Sequence, residues 1–164
     1  MDTPITNTPT VMNVDEVPSL LVPITDRRLL LPMVSIAETL PYKQPQEPKK
    51  IEGCKWYLGD ILWRGIMVPM ISYEAINGDA IADIKGVTQM VVLNNTGVHP
   101  KLPFICFPTQ GIPRLSRVTN DSIVEDQMIV PKAFDQMNVH VAGEPAAIPN
   151  ISKLEQAYVQ LMSL

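Results

Sequence analysis

Proline is the residue that most limits what this chain can fold into. The 164 residues include 16 prolines, about twice the average share of roughly 5%, and they are spread along the whole length. A proline inside a helix removes a backbone donor and clashes with the preceding turn, at a cost of roughly 3 kcal/mol. Few windows can therefore hold a long helix, and short strands separated by turns are the better interpretation. The pattern excludes an all-α fold.

Charge and hydropathy limit the classes of partner. There are 17 acidic residues against 13 basic ones, a net charge of −4, and phosphate binding needs clustered positive charge. We therefore expect no nucleic-acid partner. No apolar run approaches the roughly 18 residues of a membrane span, and residues 1–4 do not resemble the start of a signal peptide. These features predict a cytoplasmic protein that does not insert into a membrane.

Two pairs of apolar segments predict β-hairpins. Residues 20–24 and 29–33 flank one polar turn, and residues 90–93 and 102–107 flank a second turn. Short apolar runs on either side of turn residues are typical of paired strands.

The two ends of the chain have different patterns. Residues 1–18 contain Thr, Asn and Pro without periodicity, which predicts a flexible N-terminal arm. Near the other end, Ser152 and Glu155 have the spacing of a capping box, which predicts a helix that begins there. Four apolar residues then fall on one helical face: Leu154, Tyr158, Leu161 and Met162.

A short repeat suggests duplication. Residues 68–72 and 148–152 share the pattern aliphatic-Pro-x-Ile-Ser, 80 positions apart, and a predicted hairpin precedes each copy. One interpretation is a duplicated β unit, and the other is a chance recurrence of common residues. Duplication predicts two small barrels packed side by side, in subdomains of roughly 19–85 and 86–164.

Residues that perform catalysis are sparse. His99 and His140 lie far from any serine elbow, cysteine or clustered carboxylate, and Cys54 and Cys106 are 52 positions apart. A metal site needs three or four ligands, a nucleophile needs a base beside it, and a phosphate cradle needs grouped glycines. The sequence predicts no catalytic, metal or cofactor site, and therefore a protein that is not an enzyme.

One ordered set of motifs occupies the first half of the chain. Ile36-Ala37-Glu38 is an aliphatic-x-Glu element, and a proline-bearing loop follows it. The chain then has Gly59, Arg64-Gly65 and Val68-Pro69. This order resembles the CheW-like family of bacterial chemosensory coupling proteins, over roughly residues 19–164. Trp63 and the tail segment 147–151 are more similar to the ChpC-type branch of that family, which belongs to systems governing type IV pili and twitching motility.

The resemblance implies a fold and a role. The fold is mainly β, with two intertwined five-stranded barrels of SH3-like shape and, in this chain, a short C-terminal helix. The role is that of a non-enzymatic adaptor without cofactors, in receptor arrays at the inner membrane. Its partners are the cytoplasmic tip of a chemoreceptor (a methyl-accepting chemotaxis protein) and the regulatory domain of a CheA-type histidine kinase.

The same resemblance assigns residues to the coupling surface. It implies that Ile36, Glu38, Gly59 and Arg64 lie at or near that surface, and Trp63 is added because Trp and Arg are frequent interface anchors. Gly59 is equally suited to a bulge or turn, and Trp63 to the core. We also expect Glu38 to pair with Arg64.

The second half departs from the family pattern. Pro108 and Pro113 interrupt a segment where the family has an alternating strand, so we expect that strand to be an edge or to be broken.

The alternative function is that of a small-ligand-binding or regulatory β-barrel protein. A cavity inside a barrel would favour it, because barrels this small are otherwise filled with side chains.

Overall fold

Eleven strands and two α-helices form within residues 16–46 and 51–164, the part of the chain that the computed structural model describes. The strands are β1 (Glu16–Pro23), β2 (Arg28–Pro32), β3 (Ile36–Pro41), β4 (Tyr57–Trp63), β5 (Ile66–Ile71), β6 (Gln89–Asn94), β7 (Phe104–Thr109), β8 (Arg114–Thr119), β9 (Ile123–Glu125), β10 (Asp135–Val141) and β11 (Glu144–Pro149). The helices are α1 (Tyr73–Ile76) and α2 (Ile151–Met162). This mainly β composition confirms the predicted fold class.

The strands form two sheets, with the orders β8-β1-β2-β11-β10-β9 and β3-β6-β7-β5-β4. In the six-stranded sheet, the short turn after Thr119 joins the end strands β8 and β9. In the five-stranded sheet, the segment after β3 bonds first to Thr88 and then bridges to Asp60 in β4 through Gln46. Each sheet therefore curls into a barrel, and β9 makes one barrel six-stranded where five strands were predicted.

Three hydrophobic clusters form the core, and the hairpins β1–β2 and β6–β7 each contribute side chains to two of them. One cluster fills the six-stranded barrel, one fills the five-stranded barrel, and a third lies between the barrels. In β2, Leu30 faces its own barrel while Leu29 and Leu31 face the shared core. In β7, Cys106 faces its barrel and Phe107 the shared core. Burial on both faces explains why these strands are continuous apolar runs.

A shift of 78 residues relates the two halves of the structure. It carries β3 onto β8, β4 onto β10 and β5 onto β11 without any difference in strand bounds. The turns Arg64-Gly65 and Ala142-Gly143 correspond, both with positive φ, and both hairpins contain a register shift at the same distance from the turn. The structure therefore contains the predicted duplication, but in a register two residues from the sequence repeat.

The barrels exchange their central hairpins. Strands β3 to β5 share a sheet with β6 and β7, and strands β8 to β11 share a sheet with β1 and β2. Both sheets thus contain strands from before and after residue 85, so the predicted subdomains 19–85 and 86–164 do not coincide with the barrels. The predicted arm also ends too late, because β1 begins at Glu16 and pairs with β8. Residues 1–15 lie outside the described residues.

The segment that contains Pro108 and Pro113 is broken, which is one of the two expected outcomes: β7 ends at Thr109, and β8 begins only at Arg114, directly after Pro113. Pro108 itself is not in an edge strand. It lies in β7, which has β6 on one side and β5 on the other. The carbonyl of Thr109 accepts from the β6 side, at Thr88, so the nitrogen of the preceding Pro108 faces β5. The only register pair between β7 and β5 is Met70 with Cys106. The hydrogen-bond ladder between β5 and β7 is therefore too short for the missing N–H of Pro108 to interrupt it.

Helix α2 begins two residues earlier than the capping box predicts. Asn150 is its N-cap, and the Asn150 side chain accepts from the Lys153 N–H at 3.1 Å. Ser152 instead accepts from the side chain of Gln156. Glu155 is 1% exposed and turns inward, where it accepts hydrogen bonds from the N–H and hydroxyl of Thr96.

Glu74 of α1 makes a similar contact. It is 3% exposed and accepts from the backbone N–H and hydroxyl of Thr25 at 3.2 and 3.0 Å. Thr25 belongs to the β1–β2 loop, and Thr96 to the β6–β7 loop. Each helix therefore holds the central hairpin of the other barrel through a buried carboxylate.

Asp135 connects the barrels through an ion pair whose carboxylate is shielded from solvent. Its oxygens accept from two nitrogens of Arg27 at 2.6 and 2.9 Å, from the hydroxyl of Tyr73 at 2.6 Å and from the N–H of Lys132 at 2.9 Å. Arg27 lies in the β1–β2 loop, Tyr73 begins α1 and Asp135 begins β10. One carboxylate thus joins three separate segments.

The Asp135 network should make stability depend on pH. Burial by itself raises the pKa of Asp135, but the hydrogen bonds from Arg27 and Tyr73 outweigh burial, and its pKa lies below the ordinary value. A lowered pKa stabilises the fold above the unfolded-state value of ~3.9, and this stabilisation is lost as pH falls through the folded-state pKa. We expect Asp135→Asn to lose roughly 3–5 kcal/mol at neutral pH, and its deficit relative to wild type to shrink in acid.

Urea unfolding of wild type, Asp135→Asn and Asp121→Asn over an acidic pH series measures this effect. Asp121 is exposed in the turn between β8 and β9, so its variant should follow the wild-type curve. A constant difference between Asp135→Asn and wild type at every pH would contradict the assignment.

The two leucines of α2 should differ in their contribution to stability. Leu154 is fully buried in the shared core, whereas Leu161 is only partly buried. Leu154→Ala should lower the free energy of unfolding by about 2–5 kcal/mol, because it leaves a cavity, and Leu161→Ala should lower it less. Chemical denaturation of both variants checks this, and equal effects would show that the helix packs differently.

Candidate protein-interaction site

A tight turn presents Arg64 at the tip of the β4–β5 hairpin. Arg64 and Gly65 have φ of 48° and 75°, and Trp63 pairs with Ile66 on either side of them. Two successive positive φ values form the two-residue turn that matches the twist of a hairpin. The Arg64 side chain is 65% exposed.

Glu38 reaches the same tip from β3. The register between β3 and β6 shifts between Ile36 and Glu38, and such bulges re-aim side chains. One Glu38 oxygen accepts from the indole N–H of Trp63 at 2.6 Å and lies 3.5 Å from an Arg64 nitrogen. The predicted pairing of Glu38 with Arg64 is therefore confirmed.

Trp63 supports the pair from inside the barrel. Its ring is 4% exposed and packs edge-on against Phe104, with ring centroids 4.8 Å apart. The Arg64 guanidinium carbon lies 4.7 Å from the centre of the Trp63 ring, within cation–π range. This burial is at odds with Trp63 as a direct contact for a partner, because the indole is covered by its own barrel. We call Glu38, Trp63 and Arg64 the tip cluster.

The other two predicted site residues lie outside the tip cluster. Gly59 occupies the bulge of β4 with φ of 115°, a conformation that favours glycine, so its role is in the backbone. Ile36 is partly buried and packs against the shared core between the barrels. Its side chain therefore contributes to packing.

Exposed apolar side chains flank the tip cluster, and sequence reasoning missed them. Leu62 and Met67 are 49% and 48% exposed and lie directly opposite each other across the hairpin. Ile66 is 37% exposed. Successive residues of a strand point to opposite faces, so Leu62 and Met67 lie on the other face of the hairpin from Trp63, whereas Ile66 pairs with Trp63 and shares its face. The alternation of Leu62 with buried Ile61 and Trp63 was the signal that could have revealed Leu62.

Residues typical of catalysis are dispersed or engaged elsewhere. Cys106 is fully buried, and burial raises the pKa of its thiol. Nε2 of His140 lies 2.9 Å from Asp126, and its side chain is 44% exposed. Within residues 16–46 and 51–164, no three potential ligands among His, Cys, Asp and Glu come together as a metal site.

The comparisons with known proteins identify the fold. The sequence matches no family model and no curated protein. Among solved structures, the chain is similar to the scaffolding protein TtCheW from Thermoanaerobacter tengcongensis, with a TM-score of 0.64 and 14% sequence identity. The match covers 81% of this chain and 88% of TtCheW. The fold is that of TtCheW.

Removing Glu38 should destabilise the barrel through the indole that it leaves unpaired. In Glu38→Ala the buried N–H of Trp63 loses its acceptor, which costs about 1–3 kcal/mol. Glu38→Gln keeps an oxygen acceptor and loses only an exposed ion pair, worth about 0–1 kcal/mol. Chemical denaturation distinguishes the two variants, and equal losses would mean that the indole hydrogen bond contributes little.

Proposed function

We propose that this chain is a non-enzymatic scaffold that couples the cytoplasmic tip of a chemoreceptor to the regulatory domain of a CheA-type histidine kinase. The observation that supports this most is the tip cluster, which assembles Glu38 and Arg64 on a fold shared with a scaffolding protein along 81% of the chain. A fold alone does not determine function. The proposal therefore depends on this surface, where the motif residues of both strands meet.

The geometry of Arg64 suits a partner that brings a carboxylate. A guanidinium carries five donors in a planar fork, and the 3.5 Å contact with Glu38 leaves most of the group exposed. Trp63 holds one face of the guanidinium, and the turn fixes its backbone. The donors are therefore preorganised for two parallel hydrogen bonds to a partner carboxylate.

The interiors of the barrels argue against the alternative of a ligand-binding barrel. Eight buried side chains fill the five-stranded barrel, among them Ile61, Trp63 and Met70. Six fill the other barrel. A ligand inside either barrel would have to displace packed core residues, so a surface role fits the structure better.

A finer assignment concerns the signalling system and the cellular location. We propose a place in the ChpC-type branch, which serves type IV pili and twitching motility, because Trp63 precedes Arg64 and the tail has the 147–151 pattern. None of the helices in the described part of the chain has the length and apolarity that crossing a membrane requires. The proposed location is the cytoplasm, at receptor arrays on the inner membrane.

Arg64 variants test the coupling surface. We expect Arg64→Ala to keep the wild-type unfolding temperature and to lose affinity for receptor fragment or kinase domain by roughly thirtyfold, the size of a hot-spot loss. Arg64→Lys should be almost as weak, because an ammonium cannot reproduce the planar fork. Titration calorimetry with the purified partners gives both affinities.

Arg117 provides a matched control. It is 73% exposed on β8 and lies 3.5 Å from Glu16, much as Arg64 is 65% exposed and lies 3.5 Å from Glu38. Arg117→Ala should therefore bind normally. Normal binding by both Arg64 variants would show that the coupling surface lies elsewhere.

A further inference from the structure

Three charged side chains converge at one end of the six-stranded barrel. Arg28, Arg114 and Glu144 are the first residues of β2, β8 and β11. Both β2 and β8 run antiparallel to β1, and β11 runs parallel to β2, so the three strands begin at the same end of the sheet. We call these three residues the rim cluster.

The register directs the rim cluster to the interior face of this barrel. Residues that lie directly opposite each other, or two apart along one strand, share a face of a sheet. Each member of the rim cluster has such a neighbour in the cluster that fills the barrel: Leu21 opposite Arg114, Val141 opposite Glu144, and Leu30 two residues after Arg28. The three side chains therefore meet where the interior face ends at the solvent.

Both arginines bond to the same oxygen of Glu144. Its Oε2 accepts from Nη1 of Arg28 at 2.9 Å and from Nη2 of Arg114. A guanidinium has five N–H donors, so this contact uses one donor of each arginine. The side chains of Arg28 and Arg114 are 49% and 57% exposed, which leaves both guanidinium groups accessible to a partner.

The rim cluster has one more positive than negative charge. In the described part of the chain, Glu144 is the only residue with a carboxylate within 4.0 Å of a nitrogen of either arginine. The other carboxylates near this end of the barrel face other cations: Asp26 and Asp79 face Lys132, Asp135 faces Arg27, and Asp126 faces His140. Two guanidinium groups that share one carboxylate repel each other, and a second carboxylate between them would offset that repulsion.

In the five-stranded barrel, apolar residues take the places of the rim cluster. The shift of 78 residues relates Arg114 to Ile36 and Glu144 to Ile66. The same shift relates Arg64 of the tip cluster to Ala142. The two barrels therefore present different charged surfaces, and the rim cluster is separate from the tip cluster.

We propose that the rim cluster binds an acidic segment of a partner protein, through a carboxylate that Arg28 and Arg114 hold together. The planar guanidinium groups have free donors that match the two oxygens of a carboxylate. Pro23 and Pro145 line a groove beside Arg28 and offer apolar contact to the rest of the segment. This binding does not depend on the proposed coupling role, because it uses none of the tip cluster.

The size and openness of the rim cluster favour a protein segment over other anions. One surplus charge is too little for a nucleic-acid backbone or an anionic membrane surface, which require several clustered cations. The exposed arginines also do not enclose a free anion such as phosphate, which would keep most of its contact with water. A carboxylate carried on a segment gains the additional contacts that such an anion lacks.

Fluorescence anisotropy with a labelled hexaglutamate peptide tests the rim cluster, at low ionic strength to limit screening. All variants carry Arg64→Ala, so that the tip cluster does not contribute to binding of the peptide. We expect the combined change Arg28→Ala and Arg114→Ala to weaken binding by about tenfold. Glu144→Gln should strengthen it by roughly threefold, because it removes the competing charge and keeps an oxygen that accepts from the arginines.

A second double variant removes the same charge elsewhere. Arg117 lies on β8 and faces Glu16, three residues from Arg114 and therefore on the opposite face, and Lys101 is exposed in the β6–β7 loop. Arg117→Ala with Lys101→Ala should bind as the Arg64→Ala background does, and unfolding curves verify that both double variants fold. Equal weakening by the two double variants would overturn the proposal, because only net charge would then matter. So would absence of binding by the background, or displacement of the peptide by millimolar phosphate at constant ionic strength.

Discussion

Both faces of the two central hairpins are buried, and the placement of the other strands follows from that constraint. Leu30 and Cys106 point into separate barrels, while their neighbours in sequence meet in the shared core. A hairpin buried on two sides cannot be stable until both layers form around it. The remaining strands therefore pack over the faces of these hairpins. Only the outward surfaces and turns of those strands, such as the turn that holds Arg64, are exposed to a partner.

Polar contacts complement this apolar arrangement at the loops. The carboxylates of Glu74 and Glu155 bond to threonines in the hairpin loops, and Asp135 joins Arg27 to Tyr73. Buried carboxylates are unfavourable unless their oxygens are satisfied. Each loop must therefore occupy one position for the bonds to form. This requirement gives the barrels a defined relative orientation that hydrophobic burial alone would leave open.

Local signals in the sequence predicted local structure well. Both hairpins, the C-terminal helix and the Glu38–Arg64 pair followed from apolar runs, spacing and family resemblance. The helix cap was wrong because Ser152 and Asn150 compete, and the buried contact of Glu155 with Thr96 decides between them. The barrels do not follow the sequential subdomains, because each barrel contains a hairpin from the other half of the chain. Arg27 and Asp135 are 108 positions apart, and no local pattern links such residues.

The exchanged hairpins make the chain equivalent to a domain-swapped pair of half-length proteins joined end to end. A break in the connection between α1 and β6 would give two fragments, each with a hairpin that belongs to the other fragment's barrel. Neither fragment could complete a sheet alone, so each would require the other as a template for folding. If the gene were split at this point, the two halves could fold only by associating with each other. The two barrels must therefore evolve as one unit.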